Sequence, residues 1–336
     1  MPHAGLDRTV SADAPPTDSA SATDPTAPVA GFEAPALLLG AYSPDYLGTA
    51  DGVQRQLSAM DAEAGQRVTF GGVFVGLEDP NPAYDIPAVF SALTEAGYTP
   101  FMNLAAGRDL AAMADGEYDD ELRAIAEATA TWAAQTDDPL VFVAPLPEMN
   151  GDWEAYGEEP EAFKRFFARL QGVYAGAGVP GDTIRWVFAP NGWSREGHEF
   201  EGYYPGDELV DVIGFSAYQW GGCGDGGWQT PEEVYGPYLE RIAAMSPDKP
   251  IVVTQTAATS VGEDGAPNEA AKDDFLEASY HLLADTPQVL GVMYFNLDKE
   301  CDWSVYRDGV ISRGYRAGAN ALGVDYLSPA ELSAVR

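Results

Sequence analysis

One carboxylate, two amides and three aromatic side chains of this sequence have the properties that a carbohydrate site needs: Glu148, Asn150, Trp153, Asn191, Tyr218 and Trp303. The apolar face of a sugar ring stacks on indole rings, and its hydroxyls exchange hydrogen bonds with amides, phenols and carboxylates. A carboxyl group in such a site can also give a proton to a glycosidic oxygen. These residues therefore indicate a carbohydrate site, provided that the fold brings them together.

The elements that must position these residues are apolar runs that alternate with helical patterns. Eight runs rich in β-branched and aromatic residues span 36–42, 67–77, 99–105, 140–146, 183–189, 210–218, 251–256 and 292–297. Helical patterns lie between them at 51–64, 86–96, 120–135, 160–175, 231–245, 269–284 and 313–322, with only a short irregular element near 206–209. Near-continuous apolar strands joined by helices predict a parallel sheet that is buried on both faces.

The alternation predicts an α/β fold, the (β/α)8 TIM barrel. Eight βα units over about 300 residues match that fold in number and size. A doubly wound open sheet is the alternative, because strand number alone does not establish closure. We place a single barrel domain at residues 31–336. Residues 1–30 are rich in Ala, Asp, Ser, Thr and Pro and lack large aromatic side chains, so we expect a disordered tail there.

The carboxyl ends of the strands form the active-site face of such a barrel. Glu148 follows the fourth predicted strand, Asn191 follows the fifth, and Tyr218 ends the sixth. Trp303 lies beyond the eighth. The strand order thus predicts that these side chains converge on one face.

The net charge narrows the range of partners. Lys and Arg together number 18 and Asp and Glu together number 53, which gives a net charge of −35. A polyanion of this size does not bind nucleic acid. Concentrated salt screens the self-repulsion of so many carboxylates, so we expect a halophilic, acidic protein.

We find neither the roughly 18-residue apolar run of a membrane span nor an export signal. We therefore expect a soluble monomer, cytoplasmic as the sequence begins and extracellular if the true start lies upstream.

Cysteine, histidine and glycine patterns predict no cofactor and no metal. Cys223 and Cys301 are too few for a four-ligand zinc site, although they can form one disulfide between the loops after the sixth and eighth strands. The three histidines are too dispersed for a catalytic triad or a metal site. The spacing Gly222-x-Gly224-x-x-Gly227 lies after the sixth strand and apart from the next helix start, so we interpret it as a flexible rim loop.

The end of the fourth predicted strand resembles a known enzyme family. The segment Pro145-Leu146-x-Glu148-Met149-Asn150-Gly151-Asp152-Trp153 is similar to the P-L-H-E-M-N-G-x-W signature of glycoside hydrolase family 26, mostly endo-β-1,4-mannanases on a (β/α)8 barrel. The similarity continues at 186–191, 203–207, 210–214, 249–253, 295–296 and 302–303. The resemblance implies that Glu148 is the general acid/base and that substrate is bound by Asn150, Trp153, Asn191, Tyr218 and Trp303. Among these, Tyr218 matches the tyrosine that orients the nucleophile, and Trp303 matches a sugar-stacking platform.

The chain departs from this family at four positions. The family places its nucleophilic Glu at the end of the seventh strand, where this sequence has Gln255. An amide neither forms a glycosyl-enzyme intermediate nor lends negative charge to an oxocarbenium-like transition state. The expected His, Arg and Asp are Pro147, Ala144 and Ser216. Four concerted changes indicate divergence of the catalytic site.

Three hypotheses follow from these residues. The chain is a mannanase-like glycosidase for β-linked polysaccharide or oligosaccharide that uses Glu148 as acid and another carboxylate as base, in an inverting geometry. Alternatively, it is a retaining-type enzyme with severely reduced turnover, or a non-catalytic β-glycan-binding protein on an inherited barrel. The candidate bases nearest the strand ends are Asp225, Asp298, Glu300 and Asp302.

Overall fold

A computed structural model describes residues 36–42, 50–79, 81–224 and 226–334 of this chain. The predicted disordered tail, residues 1–30, lies outside the described residues, and the domain boundary at residue 31 stays a prediction. Among the described residues, none of the helices has the length and apolar character needed to cross a membrane.

Eight parallel strands form a closed barrel: β1 (Leu37–Tyr42), β2 (Phe70–Gly76), β3 (Thr99–Ala105), β4 (Val141–Pro145), β5 (Ile184–Phe188), β6 (Val212–Ser216), β7 (Ile251–Thr256) and β8 (Val289–Phe295). The strands are hydrogen-bonded in sequence order, and β1 also pairs with β8. That pairing runs from Leu38 opposite Gly291 to Tyr42 opposite Phe295 and closes the sheet. The predicted (β/α)8 barrel is confirmed, and the open sheet is excluded.

Helices alternate with these strands along the chain: α1 (Ala50–Val53), α2 (Ala59–Ala64), α3 (Pro82–Glu95), α4 (Leu110–Asp115), α5 (Asp119–Ala133), α6 (Pro160–Gly176), α7 (Pro231–Met245), α8 (Glu269–Ala284), α9 (Arg313–Ala319) and α10 (Pro329–Ala334). A π-helical segment, Gln54–Ser58, joins α1 to α2, and a 3-10 helix, Phe200–Tyr203, follows β5. Helix α7 begins at a capping box, in which Thr230 N donates to Glu233 Oε2 at 2.8 Å and Glu233 N donates to Thr230 Oγ1 at 3.3 Å.

The sequence pattern missed the shortest elements. Helix α4 has six residues, too few to show a helical period, yet its ends are well specified. The Asp109 side chain accepts from Ala112 N at 2.9 Å, and Gly116 ends the helix with a φ of 94°. The two-residue strands β9 (Tyr306–Arg307), β10 (Val310–Ile311) and β11 (Val324–Asp325), together with α10, were also not predicted.

Aromatic rings fill the interior of the barrel. Phe70 on β2 packs edge to face on Phe142 of β4, with ring centroids 5.0 Å apart. Because β2 and β4 are not neighbours in the sheet, this contact lies inside the barrel. Beside it, a Cβ at Gly40 would come within 2.1 Å of Met293 Sδ, so β1 has glycine there. A filled interior leaves the ends of the barrel as the places where a ligand can bind.

A polar cleft of about 560 Å³ opens at the amino-terminal end of the strands, opposite the predicted active-site face. Asp61 of α2 lies in it and is 7% exposed. Its carboxylate accepts from Tyr98 Oη at 2.7 Å and from Val68 N at 3.2 Å. Burial nevertheless raises the pKa of Asp61 from 3.8 to about 6, and the hydrogen bonds and the Arg67 charge offset this only in part.

The raised pKa of Asp61 predicts a pH-dependent free energy of unfolding. The folded protein retains this proton more tightly than the unfolded chain, so the contribution is fully present below about pH 4 and is lost as the pH rises through about 6. The loss is about 3 kcal/mol at most, at about 1.4 kcal/mol per pH unit. Urea unfolding between pH 4 and 7 should show this decline in wild type and not in Asp61→Asn. Parallel pH curves for the two proteins would contradict it.

Candidate active site

Glu148 lies in a turn directly after β4. Leu146 and Glu148 both have a left-handed backbone, with φ of 49° and 60°. This conformation costs a residue other than glycine about 1–3 kcal/mol. Main-chain hydrogen bonds to both neighbouring strand ends hold the turn, from Leu146 N to Leu104 O at 2.7 Å and from Glu148 N to Ala189 O at 2.8 Å. Strain of this kind is concentrated at functional sites, so the turn supports a functional role for Glu148.

Three side chains donate hydrogen bonds to the Glu148 carboxyl group. Oε1 accepts from Asn191 Nδ2 at 3.1 Å and also from Ser216 Oγ. Oε2 accepts from Trp153 Nε1 at 3.0 Å. The donors come from the loop after β5, from the end of β6 and from the β4 loop itself. They fix the orientation of a half-buried carboxyl group, as proton transfer to a bound substrate requires.

Asn150 does not line the site but connects two of the loops that form it. Its side chain is fully buried. Nδ2 donates to Asn191 O, Trp193 O and Ser194 Oγ at 2.9, 3.1 and 3.0 Å, and Oδ1 accepts from Asn191 N at 2.8 Å. The expected contact between Asn150 and substrate does not fit this burial. Instead, Asn150 joins the β4 loop to the loop after β5 and so positions Asn191.

Gln255 lies on β7, opposite Ser216 in the register of β6 and β7. It is 7% exposed, and its Oε1 accepts from Tyr218 Oη at 3.3 Å. Burial raises the pKa of Tyr218 well above 10.0, and the nearby charges of Glu148 and Glu300 act in the same direction. The phenol therefore stays protonated and donates. Because Ser216 contacts Glu148 as well, the structure brings the predicted acid and the predicted nucleophile position together.

Exposed indole rings lie on both sides of this pair. Trp153 is 46% exposed and stacks on Trp193, which is 55% exposed, with ring centroids 6.3 Å apart and an interplanar angle of 28°. On the other side, Trp220 is 39% exposed and its centroid lies 5.9 Å from that of Tyr218. Such rings can stack on sugars.

Trp303 does not offer the exposed platform that the resemblance implied. It is 1% exposed and packs edge to face behind Trp220, with ring centroids 4.9 Å apart. Loop packing that no local pattern encodes decides which of the two indoles faces solvent. Trp193 and Trp220 were not predicted as site residues. The signal that could have found them is an indole two residues after Asn191 and another two residues after Tyr218.

Two of the four carboxylates considered as alternative bases hold loops in place. Asp298 forms an ion pair with Arg307. Asp302 accepts hydrogen bonds from the Thr259 hydroxyl and from both the backbone and the side chain of Ser260. Burial alone raises the pKa of Asp302, but the hydrogen bonds from Ser260 and Thr259 outweigh it, so the pKa is lowered. Both carboxylates therefore stabilise loops and are poor candidates for a catalytic base.

Glu300 forms its contacts within its own loop. Its carboxylate is 2.9 Å from Lys299 Nζ and accepts from Trp303 Nε1 at 3.5 Å. The side chain is 50% exposed. Asp225, the fourth candidate, lies outside the described residues. Among the described carboxylates of this set, Glu300 is the most exposed, although it is also ion-paired.

A disulfide joins Cys223, in the loop after β6, to Cys301, in the loop after β8. Their Cα atoms are 6.3 Å apart, within the range of native disulfides. Cys223, Cys301 and Asp302 are also the one group of described side chains whose spacing fits a metal ion. Because the two sulfurs are bonded to each other, they offer no thiolate, and the group does not fit a metal site.

We expect the disulfide to stabilise the fold and the position of Trp220 beside the cleft. The bond closes a loop of 78 residues, and a crosslink over that separation contributes about 2–4 kcal/mol. Cys223→Ser/Cys301→Ser should lower the free energy of unfolding by this amount and weaken oligosaccharide binding. Thiol titration of the unfolded, unreduced protein should find no free thiol, whereas two thiols per chain would contradict the pairing.

Comparisons with known proteins identify a matching family model and a curated relative. Residues 91–231 match the family model of glycosyl hydrolase family 26. Endoglucanase H of Acetivibrio thermocellus is 25% identical over 191 residues, which are 54% of this chain and 20% of that protein. The chain thus spans about a fifth of the length of this curated relative.

Two solved structures share the fold. A modular endo-β-1,4-mannanase from Cellulomonas fimi aligns with a TM-score of 0.66 and 17% identity, covering 90% of this chain and 74% of that one. A β-mannanase from a symbiotic protist of the termite Reticulitermes speratus, complexed with gluco-manno-oligosaccharide, aligns with a TM-score of 0.61 and 15% identity, covering 90% of this chain and 95% of that one.

The segment that matches the family model runs from α3 to the start of α7 and stops before Gln255. The resemblance to glycoside hydrolase family 26 that the sequence indicated is thus confirmed over residues 91–231.

Proposed function

We propose that this protein is a mannanase-like glycoside hydrolase for β-linked polysaccharide or oligosaccharide, with Glu148 as the proton donor. The observation that carries the proposal is the position of Glu148 at the end of β4, held by hydrogen bonds from Ser216, Asn191 and Trp153. The family match over residues 91–231 supports the same reaction class.

In the proposed reaction a β-linked sugar chain lies across the carboxyl ends of the strands. Trp153 and Trp193 stack on its sugar rings on one side, and Trp220 does so on the other. Bound sugar displaces water from the site and brings a glycosidic oxygen against the Glu148 carboxyl group. Glu148 then gives its proton to the glycosidic oxygen as the bond to C1 breaks.

The substrate class that we propose is supported by two structural relatives. The termite-symbiont enzyme is described as a β-mannanase in complex with gluco-manno-oligosaccharide, and the Cellulomonas fimi enzyme as an endo-β-1,4-mannanase. We therefore propose mannan or glucomannan segments as the first substrates to test. We also propose that the protein acts as a monomer and does not bind nucleic acid, as its charge of −35 favours.

Gln255 supports a second candidate, a non-catalytic β-glycan-binding protein. A neutral amide, hydrogen-bonded to Tyr218, occupies the β7 position where the resemblance implies a nucleophilic carboxylate. A site with one carboxyl group and an intact set of exposed indoles can bind sugar without cleaving it. Both proposed functions require binding of the same ligand, and only the hydrolase also requires turnover.

A reducing-sugar assay on a panel of β-glycans in molar salt separates the two candidates. The hydrolase releases reducing ends from mannan or glucomannan, and Glu148→Gln abolishes the release. The binding protein shifts in affinity electrophoresis on the same glycans and releases no reducing ends. Absence of both binding and turnover across the panel would refute the carbohydrate function.

We further propose that concentrated salt stabilises the protein, because its net charge of −35 repels itself at low ionic strength. The unfolding midpoint should rise by several degrees between 0.1 and 3 M KCl. Sucrose at matched water activity does not screen charge and should raise the midpoint less. A midpoint that is highest at low salt would contradict the proposal.

A further inference from the structure

We propose that Phe74, on β2, forms a further sugar-binding subsite at the mouth of the barrel, the face formed by the carboxyl ends of the strands. The ligand is one pyranose unit of a β-linked chain, whose apolar face stacks on the Phe74 ring. The proposal rests on the carbohydrate function proposed above and deepens it. It holds for a hydrolase and for a binding protein alike, because both have to bind the same chain.

The Phe74 side chain points into the barrel and not toward the helices. Successive residues of a strand face opposite sides of a sheet. A Cβ at Gly71 would come within 2.4 Å of Leu93 on α3, so the odd-numbered residues of β2 face the helices. Phe70 packs on Phe142 inside the barrel, and Phe74, four residues further along β2, faces the same way.

The Phe74 ring lies at the mouth of the barrel and is open to solvent. It is 37% exposed, whereas Phe70 at the other end of β2 is fully buried. The next inward-facing residue toward the carboxyl end of the strand is Gly76, which has no side chain to cover the ring. An apolar ring that contacts water at this face of a barrel is a surface on which a sugar can stack.

Aromatic packing fixes the Phe74 ring and connects it to the candidate catalytic residues. Its centroid lies 5.0 Å from that of Tyr42 and 6.3 Å from that of Phe295. The Phe295 centroid in turn lies 6.2 Å from that of Tyr218, which donates to Gln255. Phe74 is therefore separated from Tyr218 by a single ring and belongs to the same cleft.

The order of the strands places Phe74 in a different sector of the mouth from the exposed indoles. In the closed barrel, a line from Glu148 after β4 to Gln255 on β7 has β5 and β6 on one side and β8, β1, β2 and β3 on the other. The exposed indoles belong to the loops after β4, β5 and β6. Among the described side chains, Phe74 is the one exposed aromatic ring in the sector of β8 to β3.

A glycan chain that is cleaved or held at the centre of this face extends into both sectors. Its glycosidic bond lies between Glu148 and Gln255, so the chain crosses the line that joins these two residues. The sugars on one side of the bond then reach the indoles. The sugars on the other side reach the sector of β8 to β3, where Phe74 offers the apolar ring that a pyranose needs.

Charged side chains close to Phe74 along β2 and in the next loop can bind the hydroxyls of the stacked sugar. Asp79 follows β2 and accepts from Gly76 N at 2.8 Å. Glu78 lies 3.5 Å from Arg108 of the β3 loop, and their side chains are 36% and 42% exposed. Carboxylate and guanidinium groups exchange hydrogen bonds with hydroxyls. An apolar floor with a few polar groups at its edge is the composition of a ligand subsite.

Calorimetric titration of β-1,4-linked manno-oligosaccharides, from the disaccharide to the hexasaccharide, tests the subsite in molar salt. Wild type should gain affinity at the chain length at which a sugar reaches Phe74. Phe74→Ala should lose about 3–10-fold of that gain, the size expected for stacking on one ring. Phe74→Tyr keeps the ring and should retain the gain. Leu322→Ala, the same truncation at a 93% exposed apolar side chain beyond α9, is the matched control and should bind as wild type.

Phe74→Leu gives a readout that a merely structural role would not move. Leucine keeps an apolar side chain at this position but has no ring current. In NMR spectra of the saturated complex, the protons of one sugar unit should shift upfield with wild type and not with Phe74→Leu. If the protein cleaves the hexasaccharide, Phe74→Ala should raise KM and leave kcat unchanged, because the stacking is equal in the ground state and the transition state.

The outcomes separate the subsite from the proposed function. If wild type binds none of the oligosaccharides, both fall. If wild type binds them and Phe74→Ala shows the same gain of affinity with length, only the subsite falls, and Phe74 is a packing residue. An equal loss in Leu322→Ala would also overturn it, since the loss would not be specific to the cleft. Should Phe74→Ala fail to fold, upfield shifts that persist in Phe74→Leu would refute the inference.

Discussion

Glu148→Gln should lower kcat on a β-linked glycan by about 10²–10⁴-fold and leave the Kd for oligosaccharide within a few fold. A glutamine fills the same space and can still accept hydrogen bonds from Asn191 and Ser216 at its Oε1, so the strained turn after β4 should persist. What is lost is the proton for the leaving oxygen, which general acid catalysis supplies. Steady-state kinetics and calorimetric titration of one oligosaccharide measure the two quantities.

The size of the loss should depend on the leaving group. An aryl glycoside with a dinitrophenolate leaving group needs little protonation, so Glu148→Gln should cleave it at close to the wild-type rate. Glu161→Gln, the same change at an exposed carboxylate of α6 paired with Lys164, is the matched control and should behave as wild type on both substrates. An equal loss on both substrates would assign Glu148 to positioning rather than to proton transfer.

Gln255→Glu should create or greatly raise hydrolysis with retention of configuration. The new carboxylate replaces an amide that already accepts from Tyr218, and only Ser216 separates it from Glu148. Two carboxyl groups about 5–5.5 Å apart are the arrangement of a retaining site, in which one attacks C1 and the other acts as acid and then as base. Rescue should be partial, because Pro147 and Ala144 lack the side-chain donors that the resemblance implies.

Three measurements follow the change at Gln255. The β-anomer should appear first in the variant, and a 2-fluoro glycoside should leave a covalent adduct on the new glutamate, seen by mass spectrometry. The basic limb of the pH profile should move to higher pH, since like charges at short range resist joint ionisation.

Gln255→Met is the control for the change of charge, since it has similar volume and no carboxylate, and it should gain nothing. If Gln255→Glu folds and binds oligosaccharide but turns over no faster than wild type, the nucleophile position taken from the resemblance is wrong, or the site has lost more than this one group. The non-catalytic binding protein would then be the better account.

The barrel could be predicted because its signals are local. Each strand is a short apolar run, and each long helix shows its own period, as α7 and α8 do within the predicted limits Pro231–Met245 and Glu269–Ala284. The sequence pattern missed elements that are too short to show a period, such as α4. The eighth strand, predicted at 292–297, begins three residues earlier at Val289.

The site could be predicted only in part. Glu148 was proposed because a strand end and a motif coincide, and Gln255 because the resemblance places the family's nucleophile at the end of the seventh strand. Their mutual position is set by hydrogen bonds to Ser216 and Tyr218, which lie 68 and 37 residues away along the chain. Loop residues have no period, so sequence spacing does not say whether such contacts form.

By itself, the sequence determined the order of eight strands and the face on which polar residues collect, and it indicated Glu148 as the proposed proton donor. Tertiary structure alone decided that Asn150 and Trp303 are buried and that Trp193 and Trp220 are exposed. The physical reason is that a strand or helix is specified by neighbours a few residues away. The exposure of a loop side chain depends on elements that meet it only after the sheet has closed, such as the β8 loop that the Cys223–Cys301 bond ties to the β6 loop.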